Sequence, residues 1–368
     1  MPLFLESITS LPLAKKIGQL FFIGIPGPVI DDATAQLLLD ISPGGVCLFA
    51  RNIKEGRQTR HLLDEVRNAL SVAPFLSIDQ EGGLVDRLRR IITPMPAAGK
   101  VRTPEDAAAL AQIIAEALRI LGFNMDFAPV VDVAGPAREQ TSNGLFSRSY
   151  GSSAQEVVER AGTFMDTLTS NGILGCLKHF PGLGASEVDS HEELPSVKIS
   201  QEVFEKVDLY PYKMLLRYDA PVMVAHACYP NLDLQERDRN GKLLPSSLSS
   251  NVVSGLLRTD LSFDGLVITD DLEMGAIVRN YGIGDACRMA IGAGVDMLAI
   301  CAGAESIYEG FQAISSVVES GEITEARLDE SLNRIAAAKS KLVAPLPFDL
   351  SRIEDLSQLV AELNTRLN

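Results

Sequence analysis

Eight short apolar runs, separated by segments with helical patterning, are the feature that most constrains how this chain folds. Each run has about the length of a strand that is buried on both faces, as in a parallel sheet. Eight such strands alternating with helices predict an α/β fold, a single (β/α)8 TIM-type barrel, with a doubly wound open sheet as the competing architecture. The predicted strands cover residues 19–25, 44–49, 74–79, 125–132, 173–180, 220–226, 265–271 and 296–301.

The helical segments between the strands carry recognisable N-terminal signals. Thr103, followed by Pro104, and Ser152 or Ser153 occupy positions that favour N-caps, because their side-chain oxygens can accept from the free N–H groups of the first turn. The predicted helices cover residues 31–40, 57–70, 105–121, 154–171, 201–217, 249–259, 273–292 and 305–318.

Two further helical stretches, 324–341 and 350–366, follow the eighth strand and are separated by a proline-broken joint at 344–348. No linker rich in Gly, Pro or Ser divides the chain into two folded units. We therefore predict one catalytic barrel over residues 1–345 with extra C-terminal helices, residues 346–368 forming a helical tail packed on the barrel.

The charge balance narrows the range of partners. The 368 residues carry 33 Lys and Arg against 48 Asp and Glu, a net charge of −15, and no block of basic residues dominates this field locally. Such a surface repels nucleic acid and anionic membranes. The five cysteines are odd in number and widely spaced, which favours reduced thiols over a disulfide framework. The N-terminus lacks a signal-peptide pattern, so we expect a soluble cytoplasmic protein. We also expect a monomer that binds neither membrane nor nucleic acid.

Polar residues cluster where the apolar runs finish. In a TIM-type barrel these positions meet at one mouth, where the active sites of this fold are built. One such residue alone is often a satisfied strand-end group, but five endings together indicate a site. The residues are Asp79, Asp132, Lys178 with His179, His226, and Asp270 with Asp271.

The run from Lys178 to His191 is the first candidate for catalytic chemistry. Lys178 and His179 end a strand, and the loop that follows contains Pro181 and two glycines. Asp189 stands two residues before His191, close enough to orient and charge-stabilise its imidazole. Because an unperturbed histidine titrates near ~6.5, this pair is a candidate general acid/base.

The second candidate is the pair Asp270 and Asp271 at the end of a buried strand. Successive strand residues point in opposite directions, so only one of the two is expected to face the centre of the mouth. We expect the other to cap the helix that follows. A single carboxylate facing a sugar is what a retaining glycosidase uses as its nucleophile.

The third candidate is the segment from Ser77 to Arg87. Its Gly-Gly pair is too short and too acidic to cradle a phosphate. Asp79, with Arg87 eight residues later, is better suited to hold sugar hydroxyls. Arg148 is a further candidate donor, with a surface salt bridge as its alternative interpretation.

These segments resemble glycoside hydrolase family 3 and, within it, the NagZ-type β-N-acetylglucosaminidases, also called β-hexosaminidases. The resemblance runs from about residue 15 to about residue 340. The KHFPG…DSH and DDLEM segments are its most specific parts. The matching segments are FARNI (49–53), IDQEGG (78–83), FAPVVDV (127–133), SRSYG (147–151), KHFPGLG…DSH (178–191), VMVAH (222–226) and ITDDLEM (268–274).

The resemblance implies a role for each matching residue. Asp270 would be the nucleophile that forms a glycosyl-enzyme, and His191, paired with Asp189, the acid/base. No cofactor or metal is implied. The residues that would contact the terminal sugar are Asp79, Arg87, Arg148, Lys178 and His179.

The implied substrate is N-acetylglucosamine at the non-reducing end of a glycan, in particular GlcNAc-anhydroMurNAc-peptides released during peptidoglycan recycling. Transfer of the glycosyl group to phosphate is open as a side activity. Three positions depart from the usual family pattern: Leu183 replaces a His, Leu84 an Arg and Asp86 a Gln. These departures affect the expected aglycone preference and loop behaviour more than the activity itself.

Three alternatives remain open. The first is a family 3 β-glucosidase or β-xylosidase, although such enzymes usually take their acid/base from a second domain. The second is a metal-dependent barrel hydrolase, which usually needs three or more converging His or Asp ligands, whereas residues 19–25 contain no ionisable side chain. The third is a catalytically inactive sugar-binding protein, which would be expected to have lost Asp270 or His191.

Overall fold

A computed structural model describes residues 8–135, 145–186, 194–216 and 220–368. Within these residues, eight strands form one parallel sheet and two more form a small antiparallel hairpin. The strands are β1 (Phe21–Gly24), β2 (Gly45–Leu48), β3 (Phe75–Ile78), β4 (Gln80–Gly82), β5 (Val85–Asp86), β6 (Met125–Asp126), β7 (Leu177–Phe180), β8 (Val222–Val224), β9 (Val267–Asp271) and β10 (Met297–Ile300).

The sheet curls in a TIM-like manner, with the spatial order β6-β3-β2-β1-β10-β9-β8-β7. Its two end strands are also connected through the backbone. The amide of Asp126 donates to the Leu174 carbonyl at 2.9 Å, and that of Val131 donates to the Lys178 carbonyl at 2.7 Å. A strand forms within each of the eight predicted runs, so the prediction of a parallel eight-stranded α/β sheet is confirmed.

The predicted strand 125–132 is too long. Regular pairing ends at Asp126, and only an isolated bridge at Val130 continues it. The reason lies in Pro129, which has no N–H to donate to a neighbouring strand. Beyond Pro129 the chain places Asp132 at the mouth, where its carboxylate bonds to His179 in β7 and to Leu183 after β7.

Helices cover the outer face of the sheet, and the two predicted caps are confirmed. The side chain of Thr103 accepts from the amide of Asp106, and of the two serines it is Ser153 that forms a capping box with Glu156. The longer helices are α2 (Asp32–Ile41), α3 (Gly56–Ala69), α4 (Pro104–Leu121), α5 (Ala154–Ser170), α9 (Ile283–Ala293), α10 (Ala304–Glu319), α11 (Glu325–Lys339) and α12 (Leu350–Leu367), and the short ones are α1 (Leu13–Gly18), α6 (Gln201–Val203), α7 (Tyr210–Leu215) and α8 (Gly275–Val278).

Three predicted helices differ in detail. A π-helical segment, Phe204–Asp208, separates α6 from α7, and the helix predicted at 249–259 is a π-helix, Asn251–Asp260. The helix predicted at 273–292 is divided into α8 and α9, because Gly282 between them has a φ of 73°. A right-handed helix needs a negative φ at every residue, so the helix cannot run through Gly282. Glycine adopts this positive φ readily because it has no Cβ.

The last helix, α12, packs along α4. The Arg352 guanidinium pairs with Glu116 at 2.6 Å, and the Asn364 amide group donates to the Pro94 carbonyl at 2.9 Å. Leu356 and Val360 of the same helix are buried. Among the described helices, none is long and apolar enough to cross a membrane.

Candidate active site

A cavity of about 350 Å³ opens at the carboxyl ends of the parallel strands. Its volume lies at the lower end of the range for small-molecule sites. Its wall combines a set of charged side chains, referred to below as the charged wall, with apolar side chains and two thiols. The lining residues are Cys47, Phe49, Asp79, Glu81, Val85, Arg87, Phe127, Leu145, Arg148, Lys178, His179, Leu183, Met223, Asp270, Asp271, Met274, Ala299 and Cys301.

Lys178 is the centre of the charged wall. Strand β7 places its side chain inside the barrel, where it is only 2% exposed. Its Nζ donates to Asp79 Oδ1 at 2.7 Å and to Glu81 Oε1 at 2.6 Å. Burial favours the neutral amine, but the two carboxylates outweigh it and raise the pKa of Lys178 above its ordinary value. Lys178 is therefore a permanently charged donor.

Glu81 connects Lys178 to Arg148. The Arg148 guanidinium forms a two-pronged pair with this carboxylate, Nε to Oε2 at 2.7 Å and the terminal nitrogen to Oε1 at 2.9 Å. Burial would raise the pKa of Glu81, but Lys178 and Arg148 together hold it well below the ordinary value. Arg148 is thus part of a buried charge network, and the alternative of a surface salt bridge is wrong.

Asp132 holds the end of β7 and the loop that follows it. Its Oδ2 accepts from Nδ1 of His179 at 2.7 Å, and its Oδ1 accepts from the amide of Leu183 at 2.6 Å. Because a carboxylate accepts, Nδ1 of His179 carries the proton and Nε2 faces Arg148 at 3.5 Å. The imidazole is therefore held at the cavity with a fixed tautomer.

Leu183 is one of the departures from the family pattern, and its surroundings define what the change does. Its amide, rather than its side chain, makes the bond to Asp132, so the loop geometry does not depend on residue type there. The side chain is buried and lines the cavity. The substitution therefore makes this part of the wall apolar.

The hairpin of β4 and β5 holds Arg87 over the cavity. Gln80 Oε1 accepts from the amides of Arg87 and Leu88 at 3.0 and 3.1 Å, and Asp86 Oδ1 accepts from the side-chain amide of Gln80 at 2.9 Å. Asp86 Oδ2 accepts from the amide of Met95 at 2.8 Å. The second departure, Asp86, is thus a buried structural carboxylate that shapes this loop.

The glycine pair in the same hairpin has a steric role. Gly82 and Gly83 have φ values of 85° and 58°. A Cβ at Gly82 would lie 2.2 Å from the Pro96 carbonyl oxygen, and one at Gly83 would lie 2.5 Å from the Cβ of Ala97. Only glycine allows this close approach, and it leaves the third departure, Leu84, exposed at the tip of the hairpin.

Asp270 and Asp271 both line the cavity at the end of β9. The amide of Asp271 donates to Asp270 Oδ1 at 2.9 Å, which restrains the Asp270 carboxylate. Burial, together with the nearby Glu273 and Asp270 carboxylates, raises the pKa of Asp271 to about 7.

The prediction that the second aspartate caps the following helix is wrong. Asp271 Oδ1 accepts from the amides of Glu273 at 3.0 Å and Cys301 at 3.3 Å, while α8 begins only at Gly275 without a side-chain cap. The three-residue connection before α8 is the reason, because it places the first turn beyond the reach of Asp271. The side chain instead ties β9 to the end of β10.

His226 lies behind the cavity wall rather than in it. Its Nε2 donates to the carbonyl of Asp271 at 3.0 Å, so Nδ1 accepts from the Ser247 hydroxyl at 2.7 Å. Burial lowers the pKa of His226, which agrees with a neutral ring. This histidine therefore supports the backbone at Asp271.

The structure brings six of the eight predicted site residues together around one cavity. The other two, Asp189 and His191, lie outside the described residues. The six are Asp79, Arg87, Arg148, Lys178, His179 and Asp270.

Two residues of the site were not predicted as functional. Glu81 had no predicted role, and Asp132 was predicted only to stand at a strand end. A signal for Glu81 was present, because residues two apart on an extended chain point to the same side, and Asp79 already faced the mouth. Asp132 required the tertiary structure, since its partners are 47 and 51 residues away along the chain. Within the described ranges, no three His, Cys, Asp or Glu side chains converge in a way that could hold a metal ion.

Comparisons with known proteins agree with this geometry. The family model described as "Glycosyl hydrolase family 3 N terminal domain" matches residues 12–338. A β-hexosaminidase of Tolumonas auensis is 31% identical over 299 residues, which cover 78% of this chain and 85% of that protein. One of Psychromonas ingrahamii is 30% identical over 337 residues, covering 88% and 92%.

Among solved structures, a glycoside hydrolase family 3 β-N-acetylglucosaminidase from Paenibacillus sp. str. FPU-7 superimposes with a TM-score of 0.86 at 33% identity. The superposition covers 96% of this chain and 69% of that one. The family match spans most of the chain and includes every strand that contributes to the cavity. The chain is a glycoside hydrolase and belongs to family 3.

Proposed function

We propose that this protein is a retaining exo-β-N-acetylglucosaminidase, a β-hexosaminidase that removes GlcNAc from the non-reducing end of a glycan. The observation that carries the proposal is the pairing, in one small cavity, of the Asp79–Lys178–Glu81–Arg148 network with the Asp270 carboxylate. The limited volume favours an exo-acting enzyme. The relatives named β-hexosaminidase support the choice of sugar.

The proposed reaction has two steps. Asp270 attacks the anomeric carbon while His191, oriented by Asp189, protonates the departing oxygen, so the glycosidic bond breaks as the Asp270–glycosyl ester forms. His191 then takes a proton from water, and the water oxygen displaces Asp270 to release the sugar with retained configuration. In a retaining site the acid/base and the nucleophile act within about 5–5.5 Å of each other in the usual two-carboxylate arrangement.

The charged wall supplies the binding part of the mechanism. Asp79 and Arg87 approach each other at 3.9 Å without closing into a tight pair, which leaves hydrogen-bonding capacity for sugar hydroxyls. Lys178, Arg148 and His179 present fixed donors or acceptors on the same side. Because the network is already charged and ordered, little reorganisation is needed when the sugar enters.

We extend the proposal to the physiological role suggested by the sequence resemblance. GlcNAc-anhydroMurNAc-peptides would be the substrate, and the enzyme would act in the cytoplasm as a monomer. Failure to release GlcNAc from purified GlcNAc-anhydroMurNAc-peptide would contradict the substrate, and light scattering of the purified protein tests the monomer. We also propose that residues 1–345 form a closed barrel and that the tail 346–368 packs against it. The backbone bonds that connect the two ends of the sheet support the closed barrel.

The first experiment is to compare hydrolysis of an aryl N-acetyl-β-glucosaminide with that of the matching aryl β-glucoside, with and without a chelator. The proposal expects turnover of the first compound that the chelator leaves unchanged. Turnover of the glucoside alone would favour a β-glucosidase, and loss of activity with the chelator would favour a metal-dependent hydrolase.

The His191→Ala variant separates the acid role from a binding role. Activity on a glycoside with a poor leaving group should fall far more than activity on an aryl glycoside, because an activated leaving group needs no proton. An equal loss on both substrates would argue against His191 as the acid.

A further inference from the structure

The mouth of the barrel has a basic sector on an otherwise acidic protein. Residues 51–57 and 87–102 together contain eight Lys and Arg and one acidic residue, Glu55. The whole chain, by contrast, has a net charge of −15. The sequence showed no basic block because the two segments lie apart in the chain and each is interrupted by uncharged residues. The two segments come together only in the fold.

The fold joins the two segments through contacts at two levels. Beside the cavity, the Arg51 and Arg87 guanidinium groups lie 4.7 and 5.9 Å from the ring centroid of Phe49, which lines the cavity. Farther out, a Cβ at Gly56 would lie 3.6 Å from Ile91, so the turn after Arg87 packs on the start of α3. The two segments therefore form one continuous part of the rim.

Four of the eight cations of this sector, Arg51, Arg57, Arg87 and Lys100, already have partners in the protein. Arg51 donates to the carbonyl oxygens of Ile25 and Cys301, Arg57 lies over the ring of Phe348, and Lys100 donates to Asn368. These side chains build the rim and have little capacity left for a ligand.

The other four, Lys54, Arg89, Arg90 and Arg102, are exposed, and of these Arg89 and Arg90 are adjacent in the chain and come soonest after Arg87. Both are exposed, and in the part of the chain that the structure describes neither makes an ion pair or a side-chain hydrogen bond. They follow Arg87 by two and three residues, a span of at most about 10 Å of chain. The amides of Ile91 and Ile92 donate to the Leu88 carbonyl at 2.7 and 3.0 Å, so the turn that carries them is ordered.

We propose that Arg89 and Arg90 form an aglycone subsite for a carboxylate group next to the sugar-binding cavity. This inference rests on the proposed function, because it assumes that a glycan with its terminal sugar in the cavity extends over the rim. Two neighbouring cations repel each other until an anion lies between them, and the surrounding acidic surface would otherwise repel an anionic substrate. The pair thus selects glycans whose aglycone carries a carboxylate.

The test uses two substrates that differ only in charge: GlcNAc-β-1,4-anhydroMurNAc with its free lactyl carboxylate, and the methyl ester of the same disaccharide. In the Arg89→Gln/Arg90→Gln double variant, kcat/KM for the acid should fall by about threefold to tenfold at low salt, as expected for exposed charge pairs. Activity on the ester and on an aryl N-acetyl-β-glucosaminide should not change.

Lys15→Gln provides the matched control. Lys15 is exposed on α1, which precedes β1 and therefore lies at the opposite end of the barrel from the mouth. Its removal makes the negative net charge of the protein one unit larger without touching the rim, so the ratio of acid to ester kcat/KM should stay at the wild-type value.

Two outcomes would overturn the subsite: an acid-to-ester ratio that the double variant leaves unchanged, as when both substrates lose equally, or the same decrease of the ratio in Lys15→Gln. Inhibition by inorganic phosphate that disappears in the double variant, with the ratio unchanged, would assign the pair to a free anion and also overturn it. Hydrolysis of the aryl compound reports on the proposed function alone. If the wild type is inactive on the aryl compound, both proposals are overturned. If it is active, the acid-to-ester ratio tests the subsite separately from the proposed function.

Discussion

Two buried charge clusters lie at opposite ends of this barrel, and they are built from the same kinds of residue. The mouth cluster consists of Asp79, Glu81, Arg148 and Lys178. The base cluster surrounds Asp296, which stands just before β10 and pairs with Arg258, Arg327 and Arg334.

The base cluster closes on itself. Asp296 Oδ2 accepts from Arg258 at 2.6 Å and from the amide of Val267 at 3.0 Å, and its Oδ1 accepts from the Ser331 hydroxyl at 2.8 Å. The carboxylate is fully buried, and protein donors occupy both of its oxygens. A cluster of this kind can stabilise the fold but has no capacity for a ligand.

The mouth cluster is open on one side. Glu81 is saturated by Lys178 and Arg148, but Asp79 is 17% exposed towards the cavity and Arg87 lies 3.9 Å from its second oxygen. The comparison shows that the number of buried charges does not distinguish stability from binding. What distinguishes them is whether polar atoms remain that face a cavity, which agrees with the division of labour between the two ends of this fold.

The largest expected effect comes from Lys178→Met. Removing the cation leaves Asp79 and Glu81 as neighbouring buried carboxylates without their shared donor, a loss of about 3–5 kcal/mol for a broken buried pair. We expect kcat/KM on an aryl N-acetyl-β-glucosaminide to fall by about 10²-fold to 10³-fold, measured in steady-state assays.

Lys339→Met is the matched control, because Lys339 is an inner lysine at the base that, among the described residues, contacts no carboxylate. Its kcat/KM should stay within about twofold of the wild type. Comparable losses in the two variants would break the distinction between mouth and base.

The next effect concerns stability. Asp296→Asn leaves three arginines around a neutral group, and we expect the free energy of unfolding to fall by about 3 kcal/mol, measured by chemical denaturation. The activity of the folded enzyme at low temperature should be retained, since the base lies away from the cavity.

Asp285→Asn is its control, because Asp285 is 64% exposed and pairs with Arg288 only at the surface. A change within about 0.5 kcal/mol is expected there. If Asp296→Asn instead reduced kcat/KM in the folded protein without reducing stability, the base cluster would belong to the functional part of the molecule.

The smallest effect is a pH dependence at the base. Burial lowers the pKa of Lys339 to about 7, whereas the unfolded chain keeps the ordinary value of 10.5. Between these values the unfolded state binds a proton that the folded state has lost, so this residue makes the protein more stable as pH rises from 7 to about 10. Lys339→Met should remove that contribution.

Denaturation curves at pH 7 and pH 9.5 measure the contribution of Lys339 to the free energy of unfolding. The stability of the wild type should increase relative to Lys339→Met over this interval, while the exposed-lysine variant Lys15→Met should follow the wild type. A constant difference between wild type and Lys339→Met at both values would contradict the lowered pKa.

Most of the fold could be predicted because its signals are local. Apolar runs of strand length and capping residues such as Thr103 and Ser153 depend on neighbours in the chain. The errors occur where tertiary contacts override the local pattern. Pro129 ends a strand that hydropathy alone would continue, and Gly282 divides a helix whose apolar spacing appears continuous.

The candidate site shows the same limit. Ionisable strand ends predicted that Asp79, Lys178 and Asp270 would meet at one mouth, since parallel strands bring their carboxyl ends together. Their partners could not be predicted, because Asp132 reaches His179 across 47 positions and the basic sector joins segments from two different loops. Long-range pairing of this kind has no periodic signal in the sequence.

The central claim is that Asp270 becomes covalently attached to the sugar, and trapping that ester tests it most directly. Incubation with a slow 5-fluoro N-acetylglucosaminyl fluoride, followed by proteolysis and mass spectrometry, should locate one glycosyl adduct on Asp270 in the wild type and none in Asp270→Asn. An adduct on the adjacent Asp271, or steady turnover of an aryl N-acetyl-β-glucosaminide by Asp270→Asn, would contradict the account.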